Sequence, residues 1–176
     1  KSLSENIAVE RERLTEVRNR ATHIIDTTDM PTAELKEKIW KLYSGNGGVE
    51  RMIVLVQSFG FKHGLPLDSD MVLDVRFLPN PFYEEDLKRL TGNDQPVADF
   101  ICRFPQTFQF LKKEEEMLEF LLPQYISEGK SQLVISVGCT GGQHRSVFIA
   151  NRLYEFLRTQ GYAVQLTHRD LQRKNK

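Results

Sequence analysis

The stretch that most constrains this chain is residues 133–147, which read LVISVGCTGGQHRSV. It begins as an apolar, β-branched run that is typical of a strand buried on both faces. A loop with two adjacent glycines follows, and from Val147 onward apolar residues recur at helical spacing. A strand, a glycine-rich loop and a helix N-terminus together form a nest in which backbone N–H groups face an anion. The stretch therefore predicts a phosphate-binding site.

Strands alternate with helices from Met52 to the end of the chain. Besides the strand above, the pattern predicts strands at 53–56, 71–76 and 163–167 and helices at 96–101 and 106–126. This alternation predicts an α/β fold, a layered and mainly parallel sheet flanked by helices. In such a sheet the loops that follow the strands meet at one edge, where ligands bind.

The first 45 residues follow a different pattern. Helical spacing runs over residues 4–20, a short strand is predicted at 22–27, and Pro31 opens a second helix. Because that strand has no partner nearby in sequence and the chain starts at Lys1, we expect residues 1–45 to be the end of a domain that is otherwise absent. Residues 46–50 then form a linker, and residues 51–176 form a second domain.

Composition narrows the classes of function. Lys and Arg number 24, and Asp and Glu also number 24, so the whole surface is not that of a nucleic-acid binder. Cys102 and Cys139 lack the spacing of zinc ligands and form no disulfide framework, which favours a reducing, cytoplasmic setting and no metal site. No apolar run is long enough to span a membrane, and no signal peptide is visible.

Two further loops carry cations that we expect at the same edge of the sheet. Lys62 and His63 lie between two glycines directly after a strand, and Arg76 ends another strand in a segment that two prolines make rigid. In the central loop Thr140, His144, Arg145 and Ser146 add donors around the glycines Gly141 and Gly142. These residues are the candidates for one basic pocket around a phosphate.

The central loop also allows a catalytic hypothesis. Cys139, Arg145 and Ser146 satisfy the Cys-x5-Arg-Ser spacing of cysteine-dependent phosphatases, with Cys139 as the nucleophile and Arg145 as the phosphate clamp. Against this alternative, Gly138 stands where those enzymes usually have a histidine, and the chain has no Trp-Pro-Asp loop. A cysteine that merely ends a buried strand is the third interpretation.

The C-terminal segment is basic. Arg169, Arg173, Lys174 and Lys176 make it a candidate for contacts with RNA phosphates, although a solvated terminus has the same composition. It has no aromatic side chains that could stack on bases.

Four motifs together resemble the C-terminal domain of the RapZ/YvcJ family of bacterial proteins. They occur in the family's order and are residues 58–64 (SFGFKHG), 74–81 (DVRFLPNP), 91–94 (TGND) and 138–147 (GCTGGQHRSV). Residues 10–14 and 24–27 look like the end of the family's N-terminal domain, which carries a P-loop. The chain itself contains no Walker A sequence, so the resemblance places ATP or GTP in the missing part and implies no cofactor and no enzymatic activity for this fragment.

The resemblance also implies a function. The C-terminal domain senses an amino-sugar metabolite, glucosamine-6-phosphate or UDP-N-acetylglucosamine, and in enteric bacteria it presents a small RNA to RNase E. It further implies a cytoplasmic homo-oligomer. Carried over by motif, the pocket residues are Lys62, His63, Arg76, Asn80, Thr140, Gly141, Gly142, His144 and Arg145. Asp170 and Asn175 interrupt the basic tail. Two alternatives therefore stay open: a family member that binds RNA, and one that senses only a UDP-sugar.

Overall fold

The structure, a computed structural model, describes residues 3–43 and 52–172. The chain divides into two compact units, an N-terminal unit of residues 1–48 and a C-terminal unit of residues 49–176. The predicted linker at 46–50 lies outside the described residues. No helix in the described ranges combines the length and the apolar character that crossing a bilayer requires.

The described part of the N-terminal unit contains two helices, α1 (Leu3–Arg20) and α2 (Thr32–Tyr43). Helix α1 has no buried side chain: Ile7, Leu14 and Val17 recur at helical spacing, but they are 47%, 57% and 64% exposed. The strand predicted at 22–27 is wrong, since these residues form no strand. A strand exists only through hydrogen bonds to a neighbouring strand, and the described part of this unit offers none.

The C-terminal unit is built on a four-stranded sheet of β1 (Ile53–Gly60), β2 (Met71–Asp74), β3 (Gln132–Cys139) and β4 (Ala163–His168). The strand order is β2-β3-β1-β4, and every neighbouring pair is parallel. The helices are α3 (Gln95–Cys102), α4 (Pro105–Ser127) and α5 (Arg145–Thr159). The predicted α/β fold with a layered parallel sheet is therefore confirmed.

The burial pattern of each strand and of α5 follows from its sequence. Residues 133–139 of the central strand β3 are all buried, as expected for a run of apolar residues covered on both faces. Helix α5 packs on the sheet and buries Ile149, Leu153 and Leu157, which recur at helical spacing. The edge strands β2 and β4 instead alternate between partly buried and exposed residues.

Strand β2 ends at Asp74, two residues earlier than predicted. The Asp74 carboxylate accepts a hydrogen bond from the backbone N–H of Arg76 at 2.9 Å, which turns the chain out of the sheet. The strand register places Gly60 beside Cys139 and Asp74 beside Gly138. The loops that follow β1, β2 and β3 therefore start at one edge of the sheet, as the parallel topology requires.

Candidate anion-binding site

The glycine-rich loop, residues 140–144, connects the end of β3 to the start of α5. Gly142 has a φ of +75°, a backbone conformation that favours glycine. A Cβ atom at Gly142 would lie 2.6 Å from the backbone nitrogen of Gly60, and one at Gly60 would lie 2.6 Å from the carbonyl carbon of Gly141. The loop thus packs backbone against backbone on the end of β1, and this contact sets its shape.

Helix α5 presents its N-terminus to this loop. His144 is the N-cap residue, but within the described chain its side chain makes no capping hydrogen bond. The helix is 15 residues long, so its first turn carries N–H groups that have no acceptor within the helix, together with the positive end of a full helix dipole. This arrangement favours an anion at the loop.

Arg145 lies almost entirely inside the protein, with 4% of its surface exposed. Its Nη1 donates to the carbonyl oxygens of Arg76 at 2.7 Å and Leu78 at 2.9 Å, and its Nη2 donates to Oγ1 of Thr140 at 3.3 Å. Burial lowers the pKa of the guanidinium, and the charges of Cys139 and Asp74 oppose this effect. Arg145 therefore joins the loop after β2 to the glycine-rich loop, and most of its hydrogen-bonding capacity is used within the protein.

Cys139 lies beneath the loop, with 3% of its surface exposed. Its Sγ is 3.2 Å from Oγ of Ser146 and accepts a hydrogen bond from the N–H of Gly142 at 3.3 Å. The sulfur thus contacts an N–H group of the loop and a hydroxyl at the start of α5. The phosphatase hypothesis also needs a guanidinium that clamps the phosphoryl group, and Nη1 and Nη2 of Arg145 donate to protein oxygens instead.

His144 is buried, and its imidazole interacts with the backbone carbonyls of Leu87 and Leu90. The N–H of Gly92 donates to the carbonyl oxygen of the preceding residue, Gln143, at 2.8 Å. Together these contacts hold the segment before α3 against the glycine-rich loop. His144 thus lies behind the predicted pocket, in contact with protein, rather than on its exposed rim.

The buried His144 predicts that the C-terminal unit loses stability in mild acid. Burial lowers the pKa of His144 below its ordinary value of 6.5, so the unfolded chain binds a proton more readily than the folded chain. The free energy of unfolding falls as the pH drops below about 6.5, by at most about 1.4 kcal/mol per pH unit for one histidine. Burial shifts the pKa of His168 in the same direction.

Urea unfolding at pH 7.5, 6.0 and 5.0 measures this dependence, and His144→Gln should flatten it whatever the variant's stability at pH 7.5. Carboxylates such as Asp74 and Asp170, whose pKa values lie below the ordinary value of 3.8, contribute only at lower pH. A variant with the same pH dependence as the parent chain would contradict the assignment.

The remaining candidates surround the loop's exposed side. The backbone N–H of Lys62 donates to the carbonyl oxygen of Thr140 at 3.2 Å, and the Lys62 side chain is exposed. Arg76 is also exposed, forms an ion pair with Asp74 and lies 4.1 Å above the Phe61 ring. The structure thus brings the predicted loops together around Thr140.

Asn80 and His63 have local roles in the structure. The Asn80 side chain accepts a hydrogen bond from the N–H of Phe82 at 3.3 Å and caps a short 3-10 helix at Pro81–Tyr83. His63 ends another short 3-10 helix, Phe61–His63, and is half-buried near Asp170. Both residues adjoin the loops that carry Lys62 and Arg76, and their ligand roles stay predictions.

Of the predicted RNA-binding residues, Arg173, Lys174 and Lys176 lie outside the described residues. Arg169 contacts protein: its guanidinium donates to Gly64 O at 2.7 Å and to Asp170 at 2.7 Å. Sequence reasoning treated Asp170 only as an interruption of the basic tail, yet it is fully buried beside the glycine-rich loop. An acidic residue in an otherwise basic segment was the available signal.

An acidic groove elsewhere in the described chain suits an anion less well. The lining of a groove of about 390 Å³ includes four acidic residues, Glu84, Glu85, Asp86 and Asp99, and one basic residue, Arg103, so its net negative charge disfavours a phosphate. Within the described residues, no three acidic, histidine or cysteine side chains are grouped closely enough to hold a metal ion.

Comparison with known proteins identifies the two units. Residues 52–172 match the model of the RapZ C-terminal domain, and residues 1–47 match that of the RapZ-like N-terminal domain. A nucleotide-binding protein of Alkaliphilus oremlandii is 54% identical over 96% of this chain and 58% of its own length. Nucleotide-binding proteins of Clostridium kluyveri and Clostridium acetobutylicum are 53% and 52% identical, each over 94% of this chain and 57% of its own length.

The chain therefore spans less than two thirds of the length of these curated relatives. The four motifs around the glycine-rich loop lie within the matched C-terminal domain, and the two helices of the N-terminal unit lie within the other match. With both matches in chain order and relatives more than half identical over nearly all of it, the chain belongs to the RapZ family.

Proposed function

We propose that the C-terminal unit binds a phosphorylated amino sugar, glucosamine-6-phosphate or UDP-N-acetylglucosamine, as a regulatory ligand. The observation that carries the proposal is the N-terminus of α5, which has no side-chain cap from His144 in the described chain and follows a loop shaped by Gly60 and Gly142. A phosphate at this position gains hydrogen bonds from backbone N–H groups and the favourable end of the helix dipole.

The exposed side chains around the loop support the same ligand class. Lys62 and Arg76 bring positive charge to the rim, and Thr140 contributes a hydroxyl. In the proposed complex the cations contact the phosphate, while Thr140 and Asn80 form hydrogen bonds with the sugar. A ligand that carries both a phosphate and several hydroxyl groups would therefore contact the cations as well as the polar side chains.

We further propose that the chain regulates amino-sugar metabolism as part of a cytoplasmic homo-oligomer. In this proposal the fragment is not an enzyme, and ATP or GTP binds to a part of the parent protein outside this chain. The names of the relatives, which describe them as nucleotide-binding proteins, support the second point. Contacts of the basic tail with a small RNA, and of the complex with an RNase, belong to the same proposal.

Calorimetric titration of the 176-residue chain tests the ligand. Glucosamine-6-phosphate and UDP-N-acetylglucosamine are compared with glucosamine, which lacks the phosphate, and with inorganic phosphate, which lacks the sugar. We expect saturable binding of one of the two phosphorylated sugars, weaker binding of phosphate and no binding of glucosamine. Lys62→Met should weaken binding about tenfold, the effect of one charge-assisted hydrogen bond, while Lys112→Met on the outer side of α4 should not. Absence of binding by both phosphorylated sugars would overturn the proposal.

The phosphatase alternative retains one favourable observation, the Gly142 N–H and the Ser146 hydroxyl within hydrogen-bond distance of the Cys139 sulfur. Cys139→Ser separates the two functions, because a serine keeps a small polar side chain but is a much poorer nucleophile at neutral pH. Under the proposed function the Cys139→Ser variant still binds the sugar phosphate. Neither the variant nor the parent chain releases phosphate from this ligand. Phosphate release by the parent chain that Cys139→Ser abolishes would establish the alternative.

A further inference from the structure

Two residues that follow β4 contact both loops of the proposed site. Arg169 and Asp170, which we call the C-terminal latch, lie where the chain turns after His168. The latch contacts residues 60–64, which carry Lys62 and His63, and packs against Gly142 of the glycine-rich loop. A movement of the latch would therefore affect both residues 60–64 and the glycine-rich loop.

Asp170 forms the inner part of the latch. Its side chain is 0% exposed, and Oδ2 accepts hydrogen bonds from the N–H of Gly60 at 2.8 Å and from Nε and Nη2 of Arg169 at 3.1 and 2.7 Å. Its Cβ lies 3.0 Å from the position that a Cβ at Gly142 would occupy. Asp170 thus contacts the end of β1 and the glycine-rich loop at the point where these two backbones meet.

The charge of Asp170 is maintained in this buried position. Burial raises the pKa of its carboxyl, but hydrogen bonds from Arg169 and Gly60 and the charges of Arg169 and His63 outweigh burial and lower it. A buried carboxylate with its own guanidinium partner is costly to separate, because either group alone would be left uncompensated. The pair therefore acts as one unit.

Arg169 forms the outer part. Its Nη2 donates to Gly64 O at 2.7 Å while also bonding Asp170, and its guanidinium lies 5.4 Å from the centre of the Phe59 ring. Gly64 ends the short helix that carries Lys62 and His63. The planar guanidinium of Arg169 thus connects Gly64, at the far end of residues 60–64, to the buried carboxylate of Asp170. The single ammonium group of a lysine cannot reproduce this geometry.

We propose that Arg169 and Asp170 are positioning residues of the ligand site, which hold residues 60–64 against the glycine-rich loop. Their role is to keep Lys62 and His63 in the place from which the phosphate is bound, rather than to contact the ligand. The effect on affinity rests on the proposed function, whereas the position of the loop does not depend on any ligand.

Amide hydrogen exchange in the ligand-free chain tests the positioning directly. The probe is the N–H of Lys62, which donates to Thr140 O across the two loops, and the reference is Ile135 in the centre of the sheet. In Arg169→Gln we expect exchange at Lys62 to accelerate at least about tenfold with exchange at Ile135 unchanged, the signature of local opening. Arg169→Lys should fall between Arg169→Gln and the parent chain, and Arg158→Gln on the outer surface of α5 should match the parent.

A merely structural role predicts another pattern: faster exchange at Lys62 and Ile135 together. That pattern, or unchanged exchange at Lys62 in both Arg169→Gln and Asp170→Asn, would overturn the proposal.

Calorimetry then tests the effect on binding, with glucosamine-6-phosphate and UDP-N-acetylglucosamine as probes. If the loop is correctly placed in only about a tenth of the molecules of Arg169→Gln, the dissociation constant rises about tenfold. Tenfold weaker binding with unchanged exchange at Ile135 supports the latch, and unchanged affinity together with unchanged exchange at Lys62 overturns it. If the parent chain binds neither probe, the proposed function fails, and the exchange experiment alone decides whether the latch positions the loop.

Discussion

Arg145→Ala should destabilise the C-terminal unit by about 3 kcal/mol and abolish binding of the sugar phosphate. The substitution leaves two carbonyl oxygens without their donor, that of the buried Leu78 and that of the exposed residue Arg76, and the buried one costs roughly 1–3 kcal/mol. It also removes the connection between the loop after β2 and Thr140. Arg145→Lys should recover little of either property, because one ammonium group cannot reproduce the fork that spans the three acceptors.

Urea unfolding followed by far-UV circular dichroism measures the loss of stability. Fluorescence is unsuitable, because the single tryptophan, Trp40, belongs to the N-terminal unit. Arg158→Ala is the matched control, since this exposed arginine lies on the same helix, forms a surface ion pair with Glu155 and lies 5.9 Å from the centre of the Tyr154 ring. It should change the free energy of unfolding by less than about 0.5 kcal/mol. Equal stability losses in the two variants would contradict the interior role of Arg145.

Gly142→Ala should have an effect of similar size, about 3 kcal/mol or more, and should also abolish binding. The new Cβ would lie 2.6 Å from Gly60 N and 2.9 Å from the carbonyl carbon of Phe59, so one of the two backbones has to move. Strain from the positive φ of +75° adds about 1 kcal/mol. Because the loop and the end of β1 move apart, the N–H groups no longer converge on one anion.

Gly161→Ala separates the two causes of this effect. Gly161 has a φ of +84°, close to that of Gly142, but a Cβ there would have no described atom within 4 Å. It should therefore cost only the backbone strain and leave ligand binding unchanged. If both alanine variants lose the same free energy of unfolding, the close approach of the loop to β1 does not contribute to the effect of Gly142→Ala.

Much of the fold could be predicted because its signals are local. The apolar run of β3, the glycines at 141 and 142 and the helical spacing from Val147 together indicate strand, loop and helix without any tertiary information. The strand order β2-β3-β1-β4 could not be predicted in this way, since it depends on which strands pair across long connections. The wrong strand at 22–27 has the same origin: an extended segment becomes a strand only with a partner.

The site was predicted less completely than the fold. Residue type placed Arg145 and Arg169 among ligand contacts, because an exposed arginine and a buried one look alike in a sequence. In the structure both guanidiniums bond to backbone carbonyls of neighbouring loops, which no local pattern reveals. The role of Asp170 could not be predicted either, because its contacts are with Gly60 and Gly142, which are far away in the chain.

The most direct test of the anion-binding site is to map the backbone amides that respond when the sugar phosphate is added. In a nuclear magnetic resonance titration with glucosamine-6-phosphate or UDP-N-acetylglucosamine, we expect the largest shifts at residues 140–147, with smaller shifts at Lys62 and Arg76. Residues around the acidic groove near Glu84 and Asp99 should respond little. Saturable shifts concentrated at that groove, with residues 140–147 unchanged, would contradict the claim that the glycine-rich loop and the N-terminus of α5 bind the phosphate.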